Sequence, residues 1–140
     1  MITKKTEYAI RAVWELGQSR EGLRTAADIA EAQGIPPKYL PQIVAELVQA
    51  GLLISARGYR GGLRLSRAPE QVTLLDVIEA IQGRLDLFEC QRAAVDCVHL
   101  PGCELKAVYN RAQGALENVF RETHLTDIHF QPRERGIDVK

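Results

Sequence analysis

The sequence predicts a mostly α-helical fold that carries one small β-hairpin and a long helix near its C-terminus. Three observations predict it. Two short helical patterns meet at a Gly-Ile-Pro-Pro turn at residues 34–37. Two short apolar runs flank an Arg- and Gly-rich stretch at 57–62, which is typical of a hairpin. From 104 to about 123, apolar residues recur with three-four spacing, which is typical of an amphipathic helix.

The composition predicts an ordinary globular protein. With 140 residues, 46% apolar and 26% charged, the chain is expected to form one compact domain, or a small domain with an extension. No apolar run approaches the roughly 20 residues of a membrane span, so no membrane partner is expected. The N-terminus carries charge throughout, unlike a secretory signal. We therefore expect a cytoplasmic location, where thiols stay reduced.

The net charge of zero hides an asymmetry between the two halves. Residues 1–67 hold 10 Lys and Arg against 6 Asp and Glu, a balance of +4. Residues 68–140 hold 8 against 12, a balance of −4. A nucleic-acid-binding surface is therefore expected in the first half.

The first half is expected to contain three helices. The first covers residues 4–17, with Gly17 as its stop. Thr25 and Asp28 form a capping-box pattern that opens a short second helix ending at Gly34. A third follows the prolines and ends at Gly51. Two short helices joined by a tight turn predict a helix-turn-helix, whose second helix exposes side chains that can contact phosphates or bases: Lys38, Tyr39 and Gln42.

The hairpin follows the helix-turn-helix directly and predicts a winged helix. Strands are expected at 52–56 and 63–66, joined by a basic tip. Its arginines can contact phosphates or enter the minor groove. The candidate DNA-binding residues of the helix-turn-helix and wing are Thr25, Pro37, Lys38, Tyr39, Gln42, Arg57, Gly58, Tyr59 and Arg60.

The second half is expected to carry a further helix from Thr73 to Gly83, a cysteine-containing loop and the long helix. The apolar stripe of that helix needs a partner, and a second copy of the chain is the simplest one, giving a two-fold dimer and a palindromic operator. The predicted divisions are a winged helix-turn-helix domain at 1–83, a cluster-binding loop at 84–103, the dimerisation helix and its end at 104–128, and a disordered tail at 129–140.

All three cysteines lie within CQRAAVDCVHLPGC, residues 90–103. Clustered thiolates in a reducing compartment suit zinc or an iron–sulfur cluster, and a metal-free thiol switch is a further alternative. Neither a His-plus-carboxylate arrangement near a cysteine nor a Gly-rich phosphate loop is evident, so an enzyme is not expected.

The chain resembles the IscR/NsrR/CymR family of bacterial winged-helix repressors. The resemblance rests on the opening TEYAIRA, the segment IPPKYL, the wing SARGYRGGLRL, the run beginning VTLLDV, and the cysteine loop with its long helix. It covers about residues 2–128. It implies a dimeric repressor that binds DNA and senses redox state, nitric oxide or iron–sulfur status.

The resemblance also implies a ligand set. Family members with three cysteines in this loop bind a [2Fe-2S] or [4Fe-4S] cluster, here through Cys90, Cys97 and Cys103. IscR-like proteins add a histidine three residues after the last cysteine, but this chain has Lys106 there. NsrR-like proteins take a carboxylate from the first helix of the other subunit, and the matching residue here is Glu7. His99 is the rival fourth ligand.

Overall fold

The structure, a computed structural model, describes residues 1–19, 23–58, 61–88, 90, 98–99 and 102–130. Its main elements within these ranges are α1 (Lys4–Gln18), α2 (Ala26–Gln33), α3 (Leu40–Gln49), β1 (Leu53–Ala56), β2 (Gly62–Leu65), α4 (Leu74–Gln82) and α5 (Glu104–Glu122). Short 3-10 turns lie at Pro37–Tyr39, Pro69–Gln71 and Leu125–Asp127. The predicted fold class, mostly α with a small hairpin, is confirmed.

Helix α1 begins at the N-cap Thr3, whose hydroxyl accepts a hydrogen bond from the Thr6 backbone N–H at 3.2 Å. It does not stop at Gly17 as predicted but continues to Gln18. Gly17 has a different role, because a Cβ at this position would lie 3.3 Å from Cβ of Pro69. The glycine therefore allows the segment after the hairpin to approach α1 closely.

The helix-turn-helix forms as predicted. Thr25 and Asp28 exchange backbone-to-side-chain hydrogen bonds of 3.2 and 3.1 Å, which completes the capping box of α2. Gly34 ends α2 in the left-handed conformation, at φ +62°. The N–H of Ile35 then donates to the Ala30 carbonyl at 3.0 Å, and a 3-10 turn leads directly into α3.

The wing is an antiparallel pair in which Leu53 faces Leu65 and Ala56 faces Gly62. On its other edge β2 is bridged by Arg24, which exchanges two backbone hydrogen bonds with Leu63, at 3.0 and 2.7 Å. The bridge requires Gly62, since a Cβ there would lie 2.9 Å from the Arg24 carbonyl oxygen.

Helix α4 lies at the centre of the molecule, where it contacts α1, α3 and α5. Its capping box, Thr73 with Asp76, matches the predicted start. After α5 the chain returns to α4, because Leu125 is buried and its N–H donates to the Val72 carbonyl at 3.0 Å.

The described chain extends past the predicted boundary at residue 128. The indole N–H of Trp14 donates to the Ile128 carbonyl at 2.8 Å, and its ring meets Phe130 edge-on, with centroids 4.9 Å apart. Residues 131–140 of the predicted tail lie outside the described residues.

One apolar core joins the helices and the wing. Its largest fully buried side chains include Ile29, Leu40, Ile43, Leu47, Val72, Val77 and Leu125. Across the described ranges, no helix combines the length and the apolar character that crossing a membrane requires.

Candidate functional site

The start of the helix-turn-helix's second helix has an exposed polar side and a buried apolar side. Lys38, Tyr39 and Gln42 are exposed, while Leu40 and Ile43 are buried in the core. The apolar side fixes the helix on the domain, so the polar side must face outward. This arrangement matches the prediction for the recognition helix.

Tyr39 is held in place by its neighbours rather than free on the surface. Its ring lies 5.4 Å from the ring of Tyr8 on α1, and the Lys38 ammonium lies 5.1 Å from its centroid. Lys4 and Arg11 in turn lie over the ring of Tyr8, at 5.3 and 5.1 Å. Contacts of this kind restrict the aromatic rings and keep the cations beside them.

The first half of α1 therefore shares one surface with the start of α3. We call this the recognition surface, formed by Lys4, Lys5, Tyr8, Lys38, Tyr39 and Gln42. Lys5 reaches it through an ion pair of 2.6 Å with Glu46 on α3. Lysines and tyrosines are common phosphate contacts in protein–DNA interfaces.

Thr25 and Pro37 are both exposed; Thr25 directly precedes α2, and Pro37 begins the 3-10 turn that leads into α3. The hydrogen bonds from the hydroxyl and the backbone N–H of Thr25, with the nearby charge of Arg24, lower the pKa of the Asp28 carboxyl. The hydroxyl of Thr25 is thus already engaged in the cap, and Thr25 contributes to the surface mainly by starting α2.

The wing tip carries an exposed Arg57, and Gly58 there has φ +113°. The N–H of Gly61 closes the tip by donating to the Gly58 carbonyl at 2.8 Å. Tyr59 and Arg60, also predicted to bind DNA, lie outside the described residues.

Two of the three cysteines are described. Cys90 and Cys103 are half-buried free thiols, and Cys103 is the N-cap residue of α5. Cys97 lies outside the described residues. Among the residues that the structure does describe, no group of three or more His, Cys, Asp or Glu side chains could hold a metal ion.

The chain leading into the cysteine segment is fixed to α5. Gln113 is buried, and its side-chain amide donates to the Leu85 carbonyl and accepts from the Leu87 N–H at 3.1 Å. One residue further, the ring of Phe88 stacks on Tyr109 with centroids 3.5 Å apart and an interplanar angle of 11°. Both ends of the cysteine segment therefore meet the same helix.

The two candidate fourth ligands are both accessible. The Glu7 carboxylate is 49% exposed and pairs with two cations of its own helix, Lys4 at 3.1 Å and Arg11 at 3.6 Å. His99 is exposed. The chemistry of these donors, thiols together with a carboxylate or an imidazole, fits an iron–sulfur cluster or zinc.

The profile of the Rrf2 family, described as "Iron-dependent Transcriptional regulator", matches residues 2–130. The chain belongs to the Rrf2 family. This Rrf2 chain is 34% identical over 129 residues to the HTH-type transcriptional regulator NsrR of Geobacillus kaustophilus, covering 91% of this chain and 88% of that relative.

Two solved structures are similar to this Rrf2 protein. CymR, the global cysteine regulator of B. subtilis, superposes with a TM-score of 0.76 at 27% identity, covering 91% of this chain and 94% of CymR. IscR of T. potens superposes with a TM-score of 0.72 at 30% identity, covering 91% of this chain and 84% of IscR. The chain is therefore a DNA-binding transcriptional regulator and not an enzyme.

In this Rrf2 protein the sequence reasoning missed the contribution of α1 to the recognition surface. Lys4, Lys5 and Tyr8 appear at first as an ordinary helix start. The missed signal was the basic and aromatic pattern of that helix start, on the half of the chain with excess positive charge.

Proposed function

We propose that this chain is a cytoplasmic, dimeric repressor whose affinity for a palindromic operator is controlled by an iron–sulfur cluster. Cys90, Cys97 and Cys103 would hold the cluster, with Glu7 of the partner subunit as the fourth ligand. When bound, the cluster would supply redox and ligand-exchange chemistry that responds to oxygen, nitric oxide or iron–sulfur status. The DNA would be bound by the recognition surface and the wing.

The observation that carries this proposal is the fixing of the cysteine segment to α5. Gln113 and the Phe88–Tyr109 stack hold its first end, and Cys103 begins the helix itself. A change in how the thiols are held is therefore expected to act on α5, because described residues at both ends of the segment contact this helix.

A route of contacts leads from α5 to the recognition surface. Helix α5 packs on α4, and Gln82 at the end of α4 accepts from the Thr3 N–H at 3.0 Å and donates to the Met1 carbonyl. Thr3 caps α1, which carries both Glu7 and Tyr8. A shift of α5 would thus move the helix start that supports Tyr39.

Glu7 supports the proposal by its availability. The pair with Lys4 joins two exposed side chains, and such a pair stabilises a protein by only about 0–1 kcal/mol. The pair with Arg11, whose side chain is 22% exposed, is longer at 3.6 Å. The Glu7 carboxylate is therefore free to exchange its partners. Carboxylates are weak partners for iron that is otherwise held by thiolates. A site completed by Glu7 is therefore expected to be labile, as a sensor requires.

Native mass spectrometry of anaerobically purified protein tests the proposal. We expect a brown dimer whose added mass corresponds to one [4Fe-4S] or [2Fe-2S] cluster per chain. Glu7→Ala is expected to speed cluster loss in air severalfold, whereas Glu122→Ala, at the exposed end of α5, leaves it unchanged. Iron-free, colourless protein with operator affinity indifferent to thiol reagents would contradict the proposal.

The free thiols of Cys90 and Cys103 also favour a second candidate, a regulator stabilised by zinc or switched by the thiols alone. The same mass spectra distinguish the zinc form, the thiol-switch form and the iron–sulfur form from one another. Zinc adds the mass of one metal ion without visible absorbance. An oxidised pair of cysteines adds no metal and removes the mass of two hydrogens.

A further inference from the structure

The side chain of Gln42, the candidate base-reading residue of α3, is bound to a carboxylate on its own helix. Its amide Nε2 donates to Oε1 of Glu46 at 3.2 Å. The same oxygen accepts from Nζ of Lys5 on α1 at 2.6 Å. Lys5 and Glu46 are both about two-thirds or more buried, with 30% and 27% of their side chains exposed, while Gln42 lies on the surface.

The chemistry of the carboxylate decides which end of the amide faces it. An ionised carboxylate only accepts hydrogen bonds, so the NH2 group of Gln42 must point at Glu46. The carbonyl oxygen Oε1 of Gln42 then lies at the other end of the amide group and points away from Glu46. An unanchored glutamine could turn its amide over and offer either end.

We propose that Glu46 is a positioning residue that determines base specificity by fixing the amide of Gln42. The fixed amide offers one acceptor, Oε1, and one remaining N–H in a set order. Adenine offers the complementary order in the major groove, a donor at N6 and an acceptor at N7. Guanine offers acceptors at both O6 and N7, so the fixed carbonyl oxygen would meet another acceptor.

Lys5 completes the arrangement. Its ammonium neutralises a carboxylate that would otherwise lie near DNA phosphates, and its 2.6 Å ion pair ties that carboxylate to α1. The second carboxylate oxygen of Glu46 is shielded from solvent and has no hydrogen-bond partner in the described part of the chain. Glu46 is therefore held by one oxygen, through which it contacts both Lys5 and Gln42.

The inference rests on the proposed binding of DNA by the recognition surface, which would place α3 in the major groove. One experiment separates a failure of the inference from a failure of that proposed binding. A preferred duplex is first selected from a randomised pool with the full-length dimer. Its affinity is then compared with that of duplexes in which each base pair is replaced in turn, by fluorescence anisotropy. The proteins compared are the wild type, Gln42→Ala, Glu46→Gln, the double variant and, as a control, Glu79→Gln on the exposed side of α4.

We expect the wild type to prefer one A·T pair by about 5- to 150-fold. Glu46→Gln should reduce that preference to a few-fold at this pair alone, because an amide partner allows Gln42 to turn over. Gln42→Ala should remove the preference. The double variant should then show the same base preference as Gln42→Ala alone. Equal thermal unfolding temperatures of the variants would show that the fold is kept.

Three results would overturn the inference in distinguishable ways. If Gln42→Ala removes the preference but Glu46→Gln keeps it, Glu46 does not position the amide, and the entry of α3 into the groove stands. If Gln42→Ala changes no base preference, both the inference and the placing of Gln42 at a base edge are wrong. A uniform loss of affinity in Glu46→Gln, at every duplex alike, would make its role merely structural.

Discussion

Individual side chains on the recognition surface act through neighbours that lie far away in the sequence. Lys5 reaches Glu46, and Tyr8 packs on Tyr39, so α1 and α3 present one combined surface. The polar residues predicted at the start of α3 are exposed as expected. Helix α1, however, supports two of their contacts, because Tyr8 packs on Tyr39 and Lys5 pairs with Glu46, the partner of Gln42. A reading of the helix-turn-helix alone does not include these contacts.

Arg57→Ala tests whether this single side chain of the wing contacts DNA. Removing one phosphate contact should weaken operator binding and reduce the slope of log affinity against log salt concentration by about 1. Fluorescence anisotropy titrations at several salt concentrations measure this. Arg121→Ala, near the end of α5, is the control and should leave the slope as it is. An unchanged slope for Arg57→Ala would remove this residue from the interface.

At the scale of the elements, α5 is attached to the domain by a polar contact within an apolar surrounding. Gln113 is 4% exposed and satisfies backbone groups of the segment that precedes Cys90. Its amide also donates to Glu117 at 2.7 Å, one turn further along α5. A buried amide with these partners fixes both the position of the segment and the rotation of the helix.

Gln113→Leu should therefore lower the free energy of unfolding by about 1–3 kcal/mol, because it leaves the Leu85 carbonyl and the Leu87 N–H without their partner. Urea denaturation followed by circular dichroism measures the change. The matched control is Gln71→Leu at an exposed position, which should alter stability by less than about 0.5 kcal/mol. Equal effects of the two substitutions would contradict the role given to Gln113.

For the whole molecule, the single chain leaves an apolar stripe of α5 exposed. Leu105, Val108 and Val119 expose 53%, 53% and 60% of their surface, while the helix is attached to the domain through Gln113 and Tyr109. An exposed stripe of this length on one helix is energetically unfavourable in water, and a second copy of α5 would cover it. The proposed dimer rests on this stripe.

Val108→Asp should shift the protein from a dimer to a monomer of 15.6 kDa, because a carboxylate would have to be buried at the proposed interface. Sedimentation equilibrium measures the mass. Asn118→Asp introduces the same charge at an exposed polar position of α5 and should leave the dimer intact. A wild-type protein that sediments as a monomer at micromolar concentration would exclude the dimer.

The sequence by itself determined the features that depend on neighbouring residues. The two capping boxes, the Gly34 turn, the hairpin and the extent of α5 follow from short-range patterns, because caps and turns are stabilised within a few residues. The clustering of the cysteines was also visible directly.

Only the tertiary structure decided the features that join distant segments. Gly17 resembles a helix stop until the fold brings Pro69 so near that an added Cβ at Gly17 would lie 3.3 Å from Cβ of Pro69. Arg24 resembles a loop residue until β2 pairs with it. The contacts of Lys5 with Glu46 and of Gln113 with Leu87 join residues 41 and 26 positions apart. Such pairs depend on how the helices pack, and no local pattern encodes the partner.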